Sequence, residues 1–264
     1  MSTHSLPVLP LVDDVVLPGM VVPLELDSER QAAVDAARTG DSDNSRVLLV
    51  PRPDGRYGGV GVVAEIVQIG RLPGGAPAAV VRALRRGRIG AGVTGPGAAL
   101  WVEVSTLEDA PVDDRTRDLA AEYKTLLLSL LQHREAWQVI DAVHRMTDPA
   151  ELTDSAGYAS WLDREQKTQL LESFDVAERL ELLLEWTRAR LAEEEVSSKI
   201  GDEVREQLDK TQREYLLRQQ LAAIRKELGE GEPDGSDDYR ARVEAADLPD
   251  KVREAALQEV GKLE

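Results

Sequence analysis

The sequence predicts an α+β protein in which a small β-rich lobe comes first, helices follow, and one helix is very long. Three observations predict this. Residues 1–111 hold 10 of the 13 prolines and 14 of the 20 glycines, a density that strands and tight turns tolerate and helices do not. The remaining residues are rich in Leu, Glu, Arg, Gln and Ala, which favour helix. From Asp175 to Leu228 there is no proline and a single glycine, Gly201. A chain of 264 residues with 42% hydrophobic residues can bury a core in one or two domains. With only 4% aromatics, that core must be built from Val, Leu, Ile and Ala.

The strands are read in order as Pro7–Val12, Met20–Leu26, Arg46–Val50, Val60–Ile69, Ala78–Leu84 and Leu100–Leu107. In the fourth, both alternating sets of residues are mostly apolar, which predicts a strand covered on both faces, as in a small closed barrel. One helix interrupts the strands, with Ser28 and Gln31 as a capping box and Gly40 as its stop. Thr39 to Ser45 is a polar loop, and Pro73-Gly74-Gly75 is a turn between strands. Gly90 to Gly97 also reads as a turn.

The helical part opens at Asp113-Asp114. Leu119, Tyr123, Leu126, Leu127, Leu130 and Leu131 recur at helical spacing. A second helix runs through Trp137, Ile140, Val143 and His144 and is stopped by Asp148-Pro149. Asp163 with Gln166 caps another. The long helix, if continuous, extends for ~80 Å. Its apolar positions Val196, Ile200, Val204, Leu208, Thr211 and Tyr215 are spaced more loosely than heptads, so no tight left-handed dimer seam is expected. A polar acidic segment, EGEPDGSDD, follows Gly229, and Pro249 starts a last helix. The chain ends inside that helix, which is the expectation for a piece of a longer protein. The expected divisions are 1–111, 112–174, 175–229 and 230–264.

Composition excludes several chemistries. Zero cysteines remove disulfides, thiol nucleophiles and Cys-ligated metals. A net charge of −17 argues against a general nucleic-acid surface. There is no run of apolar residues long enough to span a membrane, and Met1 to Pro10 lacks the regions of a signal peptide, so a cytoplasmic protein is expected. His4 falls in the leader. Asp141 and His144, one helical turn apart, could share a metal or form a surface ion pair, and no further ligand is nominated. Gly59-Val60-Gly61-Val62-Val63-Ala64 matches a dinucleotide fingerprint in letters, but strand alternation follows it where a helix is required. It reads as a strand start. Arg82, Arg85, Arg86 and Arg88 could meet phosphate or an acidic partner, or could line a solvated strand edge. Leu17-Pro18-Gly19-Met20 either closes one end of the barrel or forms an exposed apolar lip.

Taken in order, these segments resemble the amino-terminal region of the Lon protease family. The resemblance is carried by Leu6-Pro7-Val8-Leu9-Pro10-Leu11, by Leu17-Pro18-Gly19-Met20 with Pro23-Leu24, and by Val60-Gly61-Val62-Val63-Ala64. Arg82-Ala83-Leu84-Arg85-Arg86-Gly87-Arg88-Ile89 and Asp175-Val176-Ala177-Glu178-Arg179-Leu180 add to it. The most specific match is Gln212 to Leu221 (QREYLLRQQL), followed by Ile224 to Gly229 (IRKELG). The resemblance implies a β-rich pseudo-barrel, a helical bundle and a long helix leading toward an ATPase module. Family members are ATP-dependent serine proteases that act on damaged, misfolded and selected regulatory proteins, and bacterial ones form homohexamers.

No family catalytic residue maps onto this chain, so no activity of its own is expected. ATP, Mg²⁺ and a Ser–Lys dyad are expected only in a longer parent, and no cofactor or metal is expected here. The expected partners are unfolded or damaged proteins, with no nucleic acid and no membrane, and the chain alone is expected to be a monomer or weak dimer. Candidate substrate contacts are Leu17, Pro18 and Met20 at the lip, with Tyr215 and Leu216 on the rod. The rival reading is a stand-alone adaptor or scaffold with a β-domain and a helical rod.

Overall fold

A computed structural model describes residues 2–39, 45–106, 111–228, 243–246 and 248–263. The chain divides into two compact units, Met1–Glu195 and Val196–Glu264.

The first unit contains strands β1 (Ser2–Leu11), β2 (Val21–Glu25), β3 (Arg46–Pro51), β4 (Val60–Arg71), β5 (Pro77–Val93) and β6 (Trp101–Thr106), with helix α1 (Ser28–Thr39) after β2. The sheet order is β2-β5-β4-β3-β1-β6, and a further β5–β6 pairing closes it into a ring. Closure depends on the length of β5. Its first part pairs with β2 through Ala78 to Arg82, and its last part pairs with β6 through Gly87 to Val93. Leu6, Val8, Leu48, Val50, Val63, Val102 and Val104 form one buried cluster. The alternate residues Leu9, Leu11, Val47, Leu49, Val62 and Ala64 belong to a second, larger core. β3 and the start of β4 are therefore apolar on both faces, whereas β4 from Val67 to Arg71 is exposed, so the double-sided covering expected of the fourth strand holds only for its first part.

Several local expectations change. β1 begins at Ser2, so His4 is no leader residue and pairs opposite Val104. β5 runs through Gly90 and Gly92 where a turn is predicted; a Cβ on Gly90 would stand 3.3 Å from Glu103, so this glycine lets β5 and β6 approach. Asp27, not Ser28, caps α1: its Oδ1 accepts from the Arg30 amide at 2.8 Å, while Gln31 turns to Asp35. Gly40 and Leu107 lie outside the described residues.

Among the described residues, β2 pairs with β5 alone. Backbone bonds at Met20–Ala83 and Leu26–Pro77 set the alternation, which turns Val21, Pro23 and Glu25 outward. The Val21 amide donates to the Tyr158 hydroxyl at 2.8 Å, Pro23 has no amide hydrogen, and the Glu25 carbonyl accepts from Arg30 at 3.1 Å.

The same unit continues with α2 (Asp114–His133), α3 (Trp137–Arg145), α4 (Pro149–Asp154), α5 (Arg164–Glu172) and the start of α6 (Val176–Glu227). Their starts follow capping chemistry. Asp113 accepts from the Thr116 amide at 2.7 Å and from its hydroxyl at 2.6 Å. Asp148 caps α4, whose first residue is Pro149. Asp163 and Gln166 form the predicted reciprocal box. Tyr123 and Leu127 of α2 join Leu180, Leu183 and Leu184 of α6 in the larger core, which is continuous with the outer face of the barrel.

One polar contact crosses that core. Arg86 of β5 is 4% exposed and makes a bidentate pair with Asp154 of α4, at 2.6 and 2.9 Å. Its remaining hydrogens reach the Leu170 and Leu171 carbonyls at 3.1 and 3.2 Å. Arg179 of α6, fully buried, approaches the same carboxylate at 3.5 Å. Because β5 pairs on both sides, the solvated-edge reading of the arginine cluster fails for Arg86. Arg88 lies over the Phe174 ring, 5.2 Å from its centroid.

In the second unit, α6 continues as helix through Gly201, where an added Cβ would meet nothing. Its apolar residues, among them Val196, Ile200, Val204, Leu208, Leu217 and Leu221, are exposed. α7 (Asp250–Leu263) begins after Pro249, as predicted. The EGEPDGSDD segment lies outside the described residues.

Candidate functional site

Two sets of residues are predicted as client contacts, and the structure treats them differently. Leu17 is 0% exposed, and Pro18 and Met20 are also buried. The expected exposed lip is therefore corrected. The Ser155–Tyr158 turn lies against it, and a Cβ on Gly157 would stand 2.3 Å from Met20 Sδ and 3.3 Å from Leu17 Cβ. A glycine with no side chain lets the helical part seal this turn into the core, and the alternative reading, closure of one end of the barrel, agrees with the burial. Tyr215 and Leu216 are 60% and 51% exposed, consistent with an accessible patch on α6.

A larger feature lies elsewhere in the first unit. An apolar groove of about 650 Å³ opens between α2, α3 and the segment after α4. α2 contributes Tyr123, Leu127, Leu131 and Arg134. α3 and its end contribute Val139, Ala142, Val143 and Met146, and the far wall is Ala156, Tyr158, Ala159 and Trp161. Sequence reasoning assigns Tyr123, Leu127 and Leu131 to the core stripe of α2. That stripe is wider than the core needs, and its outer part lines the groove. The exposed Val139 on a helix with one fully buried residue, Val143, is the second signal.

Three aromatic rings and a methionine on a wall that is mostly aliphatic, with Ser155, Ser160 and Arg134 as its further polar residues, suit tolerant apolar contact. Burial pushes the Tyr123 hydroxyl pKa up, so it stays neutral. The groove's one charged lining residue, Arg134, is committed to Glu194 at 2.6 Å. Burial works against the Glu194 charge, but hydrogen bonds and charge from Arg134 and Arg190 outweigh it and hold its pKa low.

The turn from α2 to α3 fixes the groove's end. The Ala136 amide donates to the Leu131 carbonyl at 2.9 Å and the Glu135 amide to Gln132 at 3.0 Å, the two bonds of a Schellman motif. The motif needs a left-handed residue, and Glu135 fills the place with φ 55°. Glycine there avoids the Cβ clash. Glu135→Gly is therefore expected to stabilise the chain by about 1 kcal/mol, read as a raised denaturation midpoint.

Among the described residues no cluster of three or more His, Asp or Glu could hold a metal. Asp141 and His144 lie on α3, and the His144 carbonyl accepts from Lys124 at 2.8 Å. Gly59 to Ala64 leads into β4 with no helix after it. Among the described residues no helix is long and apolar enough to cross a membrane.

The first unit is thus a closed β-ring joined through one core to helices, with an apolar groove between the helices. Comparison with known proteins gives its family. The family described as the ATP-dependent protease La (LON) substrate-binding domain matches residues 5–189, and the chain belongs to that family. It is 66% identical to Lon protease of Salinispora arenicola over 98% of its own length and 33% of that protein. It is 59% identical to Lon protease of Mycolicibacterium smegmatis over 100% of its length and 34% of that protein. The chain thus spans about a third of these curated relatives. The N-terminal domain of Mycobacterium avium complex Lon protease superposes with a TM-score of 0.67 at 54% identity, covering 70% of this chain and 98% of that domain.

Proposed function

We propose that this chain is the client-engaging region of a longer ATP-dependent Lon-type protease, and that it retains apolar segments of unfolded or damaged proteins near the motor. The observation that carries this reading is the apolar, aromatic-rich groove in a domain of the substrate-binding family. Contact through such a wall is weak and tolerant of sequence, as quality control requires. In a homohexamer, six linked copies would raise the effective concentration of the sites and turn weak contacts into retention. ATP hydrolysis with Mg²⁺ and peptide cleavage by a Ser–Lys dyad would belong to other modules of the parent, acting in the cytoplasm. The continuous α6 would set the spacing to those modules, and Tyr215 and Leu216 on it would serve as a second contact patch.

Binding of a permanently unfolded, reduced and alkylated polypeptide to the 264-residue chain tests this reading. Val139 is 47% exposed, so Val139→Asp leaves folding intact while charging the groove wall. It should weaken binding about tenfold. Leu216→Ser should weaken it less. If neither substitution changes an otherwise measurable affinity, the contacts are misplaced.

A further inference from the structure

We propose that the groove receives its client segment as an amphipathic α-helix whose outer face is basic. This rests on the groove being the client site.

The first argument is hydrogen-bond supply. The lining offers few polar groups, and most are engaged. Ser155 Oγ donates to the Leu152 carbonyl at 2.7 Å. The Tyr158 hydroxyl accepts from Val21, and Arg134 is held by Glu194. An extended segment brings an amide and a carbonyl with every residue, and an apolar wall leaves them unmatched. A helix arrives with its backbone bonds already made inside itself.

The second argument is length. Tyr123 and Arg134 mark the groove along eleven residues of α2, about 16 Å. That matches three turns of a docked helix with apolar anchors at i, i+4 and i+7.

The third argument is charge. Residues 112–195 carry nineteen acidic and ten basic residues. Around the groove, Arg134 is paired with Glu194, while Lys124 donates to the neutral His144 and Met146 carbonyls, each at 2.8 Å, and keeps its charge. The exposed Glu135, Asp141 and Asp148 outnumber the basic Lys124 and Arg145 along this side. Lys or Arg on the client's outer face therefore complements this surface, whereas Glu would be repelled.

The test is fluorescence anisotropy of labelled peptides of about 18 residues with the 264-residue chain. One peptide is a Leu/Lys amphipathic helix, the second has the same composition with two central prolines, and the third replaces every Lys by Glu. The Leu/Lys helix should bind about tenfold more tightly than either of the others, and added salt should weaken it. Ala142→Trp, filling the groove, and Val139→Asp should each weaken it about tenfold.

If the proline-broken peptide binds as well as the helix and Ala142→Trp weakens both, the groove reading stands and the helical inference falls. If the Glu peptide matches the Lys peptide, the basic face is wrong. If both variants bind the Leu/Lys helix as the parent chain does, the groove itself is wrong. Loss of self-association in Ala142→Trp, with peptide affinity unchanged, would make the groove a contact between copies and overturn the proposal.

Discussion

Asp154→Ala is expected to destabilise the chain by about 3–5 kcal/mol, measured by urea denaturation of the 264-residue protein at neutral pH. The carboxylate is 6% exposed and faces two arginines, Arg86 at 4% and Arg179 at 0%. Removing it takes from the buried Arg86 guanidinium the carboxylate that pairs with it, and water cannot reach that charge cheaply. The Leu170 and Leu171 carbonyls bond to Arg86 but cannot neutralise it. Asp154→Asn keeps the shape and one acceptor, so it should cost less than alanine. The double variant Arg86→Met with Asp154→Leu should also cost less than Asp154→Ala alone, because no orphaned charge at position 86 remains. Because the three residues sit on β5, α4 and α6, barrel and helices should lose stability together. A loss below about 1 kcal/mol would show that the pair is solvated and is no strut.

Gly61→Val should be nearly as damaging, at about 3 kcal/mol or more. A Cβ on Gly61 would stand 2.6 Å from the Leu49 carbonyl oxygen and 3.1 Å from Leu48 and Val50 side-chain atoms. The first of these is backbone and cannot swing aside. Gly61 also pairs with Gly87 of the neighbouring β5, whose own Cβ would stand 2.4 Å from Val104 Cγ1. These two glycines let β3, β4, β5 and β6 approach closely enough for the ring to close. Gly59→Ala is the control: its Cβ meets nothing within 4 Å, and its cost should stay within about 0.5 kcal/mol. Equal midpoints for Gly61→Val and Gly59→Ala would refute the packing argument.

The elements that were legible in the sequence are those fixed by local chemistry. Asp163 and Gln166 announce a capping box because both partners lie within one turn. The start of β4 announces double-sided burial through its two apolar sets, though Val67 and Ile69 further on are exposed. The failures are non-local. Arg86 looks like part of a surface cluster because its partners, Asp154 and Arg179, are far away in the chain. Leu17 and Met20 look exposable because what covers them is Gly157, a residue with no side chain to advertise a contact. The groove escaped for a related reason. Tyr123, Leu127 and Leu131 have the spacing of any core stripe, and only the placement of α3 and Trp161 leaves a hollow in front of them.

The outward side of β2 has a bearing on how this domain survives its own clients. Unfolded chains seek strands whose backbone is available for pairing, and a host offering one becomes a template for its own conversion into aggregate. Here Tyr158 occupies the amide of Val21, Pro23 has none to give, and Arg30 holds the carbonyl of Glu25. Under the proposed client-engaging role, a bound polypeptide would meet a poor template for sheet growth on this strand, because three of its six outward backbone positions are withheld.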